Sequence, residues 1–451
     1  MRHDYLGNPV TGAGDATLAG IDDFVGGFLG YEERMLGILA AADADPGSCL
    51  ANAYAGWLWM FLESPEAPER AAGYLARATA AAAGSSRREQ LAAALLGDWA
   101  AGDVVGATRR AGAILAEAPR DLAALKLHQY FDFNRGRSPQ MLRVALAALP
   151  AAADVPQLHG MLAFAYEQCH LLGDAEAAAR RALALLPREP WAQHALAHVM
   201  LTEGRIAEGI GFLESTSHGW SGLTSFMYTH NWWHLALFYI SEGRFDEALE
   251  IYDRHVWARD RSYSQDQVGA VSLLARLELA GQAVGGRWTE LGEYLRVRRG
   301  DTVEPFLTLQ YLYGLARAGL AEADELAAAV ARRAQAAPEP LRAAWSEVAW
   351  PAARGLLAHA RGDYPAARRE LGPALGRMLE IGGSHAQRDL FQQLYLDSLL
   401  KSGARVAAQQ LLEQRRRSEP GGVALNRTLA ALYGELGLPA QAAAAAARAR
   451  R

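Results

Sequence analysis

A short turn signature recurs along this 451-residue chain and restricts the folds open to it. In each instance a glycine is followed five residues later by another small residue. The pairs are Gly102 and Ala107, Gly173 and Ala178, Gly204 and Gly209, Gly243 and Ala248, Gly362 and Ala367, Gly403 and Ala408, and Gly437 and Ala442. Glycine ends helices, and a small residue lets a second helix cross the first closely. The signature therefore predicts repeated helix-turn-helix hairpins.

The segments between these turns are rich in Ala, Leu, Arg and Glu, which favour helix, and strand signals are scarce. One hairpin cannot bury its apolar face alone, so neighbouring hairpins must stack. We therefore expect an all-α fold, a tetratricopeptide-like α-solenoid. Residues 1–253 and 305–451 are predicted to be N-terminal and C-terminal helical repeats. Residues 254–304 fit no repeat and are predicted to be an irregular connecting segment.

Composition limits which binding partners and which cellular compartment are expected. The net charge is −5, so we expect no nucleic-acid partner. No uncharged apolar stretch reaches the ~18 residues needed to span a bilayer, so we expect no membrane partner. The two cysteines, Cys49 and Cys169, cannot build a disulfide framework, which favours the cytoplasm. The Ala-rich run at 440–447 leaves a homo-oligomeric scaffold open as an alternative.

The histidines are unevenly distributed. Five of the twelve lie between residues 194 and 234. A generic helical-repeat core has no use for them, because a buried imidazole needs a polar partner. Four of them form two HxxxH pairs, His194 with His198 and His230 with His234. Residues four apart share one face of a helix, so the members of each pair should project together.

The repeat register predicts which face carries these four histidines. Counting back from the small residue of each hairpin places His194 and His198 at the fifth and ninth positions of one repeat. The same count places His230 and His234 at the second and sixth positions of the next. In tetratricopeptide repeats these positions line the concave groove where ligands bind. We therefore expect the four imidazoles to converge on that groove.

Glu167 is predicted to flank the histidines, because the count from Ala178 places it at the ninth position of the preceding repeat. Such a set could bind a divalent metal ion, and imidazole is also a general acid or base near neutral pH. The candidate catalytic residues are therefore His194, His198, His230, His234 and Glu167, with the four histidines also as candidate metal ligands. Trp233 is predicted to form a wall of the groove.

Three interpretations of the histidines stay open from the sequence. They could serve polar packing, a ligand or catalytic site without metal, or a metal site, since HxxxH pairs alone are common. No HExxH motif, GxxxxGK[ST] phosphate loop or GxSxG nucleophile elbow accompanies them. The cofactor is therefore unknown, with a divalent metal ion as one alternative. The sequence does not decide whether the protein is an enzyme.

Several segments, taken in order, resemble the tetratricopeptide repeat protein 38 family. They are 194–198, 230–237, 251–255, 286–288 and 382–389, with the opening 8–12 similar to bacterial members. The resemblance covers nearly the whole chain and implies that these motifs face one central site, without implying an activity. It gives weight to Arg287, Gln387, Arg388 and Asp389 as ligand-binding residues. The two arginines would hold a carboxylate or phosphate of the ligand.

Two functional hypotheses follow. In the first, a polar, histidine-rich concave groove binds a small anionic molecule or a peptide. In the second, the protein is an enzyme, a hydrolase or lyase, that uses the clustered histidines with or without a metal ion. An open groove would favour peptides, whereas a ring closed by the C-terminal repeats would favour a small molecule.

Overall fold

The computed structural model of the protein describes residues 2–449 and is mostly helical in that range. The one β-sheet described is a short antiparallel pair, β1 Arg2–His3 and β2 Pro9–Val10. The helices divide between two compact units. Unit 1 comprises residues 2–196 and 219–227, and unit 2 comprises residues 197–218 and 228–449. The predicted arrays extend to residues 1, 450 and 451, which lie outside the described residues.

Unit 1 consists of helices that pair with their neighbours in sequence. They are α1 Asp15–Gly30, α2 Ile38–Ala44, α3 Cys49–Met60, α4 Ala67–Ala81, α5 Arg87–Ala100, α6 Val104–Glu117, α7 Leu122–Phe133, α8 Ser138–Ala152, α9 Pro156–Gln168, α10 Leu172–Leu185 and the first half of α11 Pro190–Glu203. Small residues on their facing sides are fully buried, so the hairpins pack closely.

Unit 2 continues the same construction. It holds the second half of α11, then α12 Ile206–Thr216, most of α13 Ser225–Glu242, α14 Phe245–Ile251, α15 Ser264–Leu279, α16 Arg287–Leu295, α17 Pro305–Arg317, α18 Glu322–Ala336, α19 Trp350–Ala360, α20 Tyr364–Leu375, α21 His385–Lys401, α22 Arg405–Arg415, α23 Val423–Glu435 and α24 Pro439–Arg448. The segment 254–304, predicted to be irregular, contains α15 and α16. The stacked hairpins make the chain an all-α, tetratricopeptide-like α-solenoid, as predicted.

The predicted turn signature corresponds to one hydrogen-bonded structure. At the α5–α6 turn, Gly102 has a φ of 78°, in the left-handed region. The amide of Asp103 donates to the carbonyl of Asp98 at 2.8 Å, and the amide of Ala107 donates to the carbonyl of Asp103 at 2.9 Å. This arrangement ends one helix and begins the next within three residues. It recurs at most of the predicted turns, which accounts for the spacing of five.

One predicted turn is displaced by three residues. Gly173 lies inside the first turn of α10, and His170 takes the left-handed conformation between α9 and α10, with a φ of 60°. The amide of Ala175 donates to the carbonyl of Leu171, as at the other turns, and Ala175 is fully buried. Ala175 is therefore the small residue of this hairpin, whereas the predicted Ala178 is only half-buried. A histidine in the left-handed region is uncommon, so the glycine pattern misplaced the turn.

The C-terminal helices of unit 2 return to its first helices. The Nη1 atom of Arg427 on α23 donates to the carbonyl of Ser241 on α13 at 2.9 Å. Gly421, in the α22–α23 loop, meets Gly204 of the α11–α12 turn so closely that a Cβ on Gly204 would lie 2.3 Å from the Gly421 carbonyl oxygen. Unit 2 therefore closes on itself at this place.

No helix in the described part of the chain is both long enough and apolar enough to cross a membrane. Both cysteines are free thiols. Cys49 is buried and Cys169 is half-buried.

The crossing of α12 and α13 tests the role of the small residues. A Cβ on Gly209 would lie 2.2 Å from a ring carbon of Phe238, which is itself fully buried, whereas a Cβ on Gly211 of the same helix meets nothing within 4 Å. We expect Gly209→Ala to lower the free energy of unfolding by about 1–3 kcal/mol through overpacking. Gly211→Ala should raise it by about 0.5–1 kcal/mol, because alanine is the better helix former. Denaturant unfolding of the two variants measures both effects, and equal stabilities would show that the crossing is not tight.

Candidate functional site

The four predicted histidines lie on α11 and α13. His194 and His198 are one turn apart on α11, and His230 and His234 are one turn apart on α13. One ring nitrogen from each of the four lies within 4.8 Å of those of the other three. The structure therefore brings together the histidines that the repeat register predicts to converge. Three of them belong to unit 2, and His194 precedes His198 on the same helix.

In unit 2, the imidazole of His234 contacts those of His198 and His230 directly. The ring centroids of His198 and His234 are 4.6 Å apart, and those of His230 and His234 are 4.8 Å apart with the ring planes at 87°. His198 is 1%, His230 9% and His234 0% exposed. Burial, with a smaller effect of nearby His198, lowers the pKa of His230 from 6.5 to about 3. His230 is therefore neutral at physiological pH, the form of imidazole that binds metal ions.

Aromatic rings hold the imidazoles in place. Trp233, which is 1% exposed, stacks on His230 with the ring planes at 7° and meets His234 edge-on at a centroid distance of 4.8 Å. In unit 1, His194 stacks on Trp191 with the ring centroids 4.4 Å apart. Trp233 therefore lies directly against His230 and His234. The sequence predicts it as a wall of the groove beside them.

Asn231 belongs to the motif segment 230–237 but is not among the site residues predicted from the sequence. It lies between His230 and His234 on α13 and is 0% exposed. Within residues 2–449, neither its side-chain oxygen nor its side-chain nitrogen has a hydrogen-bond partner. Leaving a buried amide without hydrogen bonds costs about 1–3 kcal/mol.

Glu167 has a different position from the one that the sequence register gives it. Because the α9–α10 turn is displaced by three residues, the ninth position of that repeat falls on Phe164. The Phe164 ring lies against that of His194 with the centroids 5.4 Å apart. Glu167 is fully buried and accepts a hydrogen bond from the side chain of Gln168. It is not a member of the group of ligand atoms that lie within 4.8 Å of one another.

The side chains of Arg287, Gln387, Arg388 and Asp389 contact other parts of the protein. Arg287 forms a two-bond ion pair with Asp253 at 2.9 and 2.6 Å. Gln387 completes a capping box with Ser384 at the start of α21. The guanidinium of Arg388 donates to the carbonyl of Gly383, and Asp389 pairs with Arg415 at 2.6 Å. Each of these contacts stabilises the local fold.

Arg276 connects this α21 segment to the histidines, and the sequence gives no sign of it. Its guanidinium lies 5.3 Å from the centroid of the Trp233 ring, donates to the carbonyl of Ala386 at 2.5 Å, and is 3.9 Å from Asp389. Burial lowers the pKa of Arg276 to about 10, which still leaves it charged at neutral pH. Arg276 therefore ties α15 and α21 to the tryptophan that packs on His230 and His234.

No family model matches the chain. Solved structures similar to it include a tetratricopeptide repeat protein from Parabacteroides merdae, 12% identical, with a TM-score of 0.34, covering 68% of this chain and 98% of that one. A human IFIT1 dimer with PPP-AAAA is 14% identical, with a TM-score of 0.41, and 90% of each chain is covered. These similarities concern the helical-repeat architecture alone.

The expectation that nucleic acid is no partner is wrong. An IFIT1 monomeric mutant with Gppp-AAAA is matched over 96% of this chain and 99% of that one, at 13% identity and a TM-score of 0.40. The expectation rested on net charge, and the net charge of a chain does not report the charge of a local surface.

Variants of two buried histidines in unit 2, His230 and His359, distinguish a functional role from a packing role. If His230 serves a ligand or a metal ion, we expect His230→Phe to unfold within about 1 kcal/mol of wild type, or above it, in metal-free buffer, because functional side chains are usually not optimised for stability. His359→Phe is the matched control. His359 is 7% exposed and contacts Asp397 at 3.0 Å and Tyr313 at 3.2 Å, so its loss should cost about 1–3 kcal/mol. Thermal unfolding in the presence of EDTA measures both, and equal losses would assign His230 to packing.

Proposed function

We propose that this chain is a tetratricopeptide-repeat protein of the tetratricopeptide repeat protein 38 type, whose histidine group holds a divalent transition-metal ion and, through it, a small anionic ligand. The observation that carries the proposal is the convergence of four imidazole nitrogens, from His194, His198, His230 and His234, within 4.8 Å. The order of the motifs along the chain supports the family assignment.

The donor set suits zinc or a similar ion. Imidazole nitrogens bind zinc at about 2.0–2.1 Å, so two ligands of one ion lie about 3–4 Å apart. Separations of up to 4.8 Å therefore need only small side-chain adjustments to meet one ion. Nitrogen donors without carboxylates favour zinc, copper or nickel over magnesium and calcium.

The charge of such a site requires an anion. Four neutral imidazoles leave both positive charges of a divalent ion uncompensated, and three of the four side chains are at most 1% exposed. An uncompensated charge in a buried site is costly, so an anion bound to the ion is expected. The buried Asn231 amide offers both a donor and an acceptor for such a ligand or its water.

The closure of unit 2 favours a small ligand over an extended peptide. The contacts of Arg427 with Ser241 and of Gly421 with Gly204 join its last helices to its first. An enclosed polar site fits small molecules, whereas peptides are bound along open grooves. We also propose a cytoplasmic location, which the free thiols of Cys49 and Cys169 support.

The alternative function is a metal-dependent hydrolase or lyase. Catalytic zinc sites use three protein ligands and keep one position for water. The contacts among His198, His230 and His234 supply such a three-ligand set. Zinc-dependent hydrolysis of p-nitrophenyl acetate that disappears in His198→Ala would favour the enzyme over the binding protein.

Metal binding is tested with tag-free full-length protein. We expect isothermal titration with zinc to give one site, and His198→Ala and His234→Ala each to weaken it at least 100-fold, because each variant removes a ligand. At 100 times the wild-type dissociation constant, zinc should raise the unfolding free energy of wild type by about 2.7 kcal/mol and that of the variants by at most about 0.4 kcal/mol. Elemental analysis of the purified protein measures its metal content independently.

His218→Ala is the control for this experiment, because His218 is an exposed histidine outside the group. It should bind zinc as wild type does. If His218→Ala and His198→Ala weaken zinc binding equally, or if zinc, copper and nickel all leave the melting temperature of wild type unchanged, the proposed metal site does not exist. Once the ion is bound, a further rise in melting temperature with phosphate or simple carboxylates identifies the anion.

A further inference from the structure

The histidine group of unit 2 is enclosed, so an ion or a ligand needs a way in. His198 is 1% exposed and His234 is 0% exposed. A small molecule reaches such side chains only when part of the protein moves aside, as lids and loops do in many binding proteins and enzymes. The part that moves must lie beside the site and must be able to move as one body.

Helices α22, α23 and α24 meet the second requirement, because they form an apolar cluster of their own. Its buried members all lie between residues 399 and 445. They include Leu412 on α22, Leu429 on α23 and Ala445 on α24, and Leu399 at the end of α21 joins them. Helices that share one core can move together about the element at its edge. The end of α21 is that element here.

The same three helices also lie beside the histidines. Gly421, in the α22–α23 loop, meets Gly204 just after α11, and Arg427 on α23 donates to the carbonyl of Ser241 near the end of α13. Both contacts are six or seven residues beyond a histidine of the group. At 1.5 Å per residue, each is about 10 Å along the helix from that histidine. The C-terminal helices therefore cover the ends of the two helices that carry the site.

These contacts can separate at little cost in free energy. Gly204 and Gly421 meet through their backbones, and a Cβ on Gly421 would lie 2.5 Å from the carbonyl oxygen of Glu203. The hydrogen bond from Arg427 to Ser241 is exposed. Water replaces an exposed hydrogen bond when it breaks, so its net contribution to stability is small.

We propose that α22–α24, residues 405–448, form a lid over the histidine group. The lid moves about the end of α21 and separates Gly421 from Gly204, which admits a metal ion and its small anionic ligand. This inference rests on the proposed function, in which the histidine group is the binding site. Closing the lid restores the buried surroundings that keep the imidazoles neutral.

A permanent seam is the competing role of the same contacts, because a closed ring of helices could simply be more stable than an open one. The two roles differ in how fast the histidines become accessible. A lid exposes them from time to time in the native protein, whereas a seam exposes them only when the protein unfolds.

The test measures access to the histidines in metal-free protein, so it does not depend on metal binding. Diethyl pyrocarbonate modifies neutral imidazoles, and peptide mapping by mass spectrometry gives the rate at each histidine. The exposed His218 is the internal standard. We expect Gly421→Ala, which cannot close against Glu203, to raise the rates at His198 and His234 about fivefold or more and to leave His218 unchanged.

Gly434→Ala is the matched control, because a Cβ on this α23 glycine meets nothing within 4 Å. It should react as wild type does. A locked protein gives the opposite change. Ser241→Cys with Arg427→Cys, in a Cys169→Ser background and joined by a short bismaleimide, should slow the modification of His198 and His234 about fivefold or more.

Equal rates in Gly421→Ala and Gly434→Ala, or an unchanged rate in the locked protein, overturn the lid and make the contact a permanent seam. So does a wild type in which His198 and His234 react as fast as His218, because the group is then not enclosed. If the rates change as expected but wild type binds no zinc, the lid stands and the proposed metal site fails.

Discussion

The close crossing of α12 and α13 determines where the histidines of unit 2 can meet. Gly209 presents no Cβ to the ring of Phe238, so the two helices approach each other at that point. Because α12 connects α11 to α13, this approach sets the position of His230 and His234 relative to His198. The same hydrogen-bonded turn joins most of the hairpins, so the rotation of one helix determines that of the next. A site made from two consecutive repeats therefore depends on small residues that contact no ligand.

Much of this arrangement is predictable because it is local. Left-handed glycines mark the turns, and counting from the small residues places His194, His198, His230 and His234 on one side. The prediction fails at α9–α10, where His170 takes the left-handed conformation and shifts the register, so that Phe164 lies against His194. Arg276 leaves no sequence signal, since its importance comes from contacts with residues distant in the chain. Periodicity reports the face of a helix but not its distant neighbours.

The motif segment at the start of α21 also gains a physical explanation. Gln387 caps the helix, and Asp389 binds Arg415 and lies near Arg276. Arg276 in turn packs on Trp233, the ring that holds His230 in place. Residues that the sequence predicts to bind a ligand therefore support the histidines indirectly, through Arg276 and Trp233. Their substitution would disturb the site through Trp233, because a side chain that orients a ligand needs its own support.

The proposed metal site depends on nitrogen atoms that burial keeps neutral. Burial lowers the pKa of His230 to about 3, so its imidazole keeps a nitrogen lone pair even in mildly acidic solution. An arginine at this position would remain protonated and could not bind a metal ion. The chain uses arginine for nearly all of its basic residues, and those arginines form ion pairs and bonds to carbonyl groups. The buried histidines therefore differ in chemistry from the cationic side chains that hold the fold together.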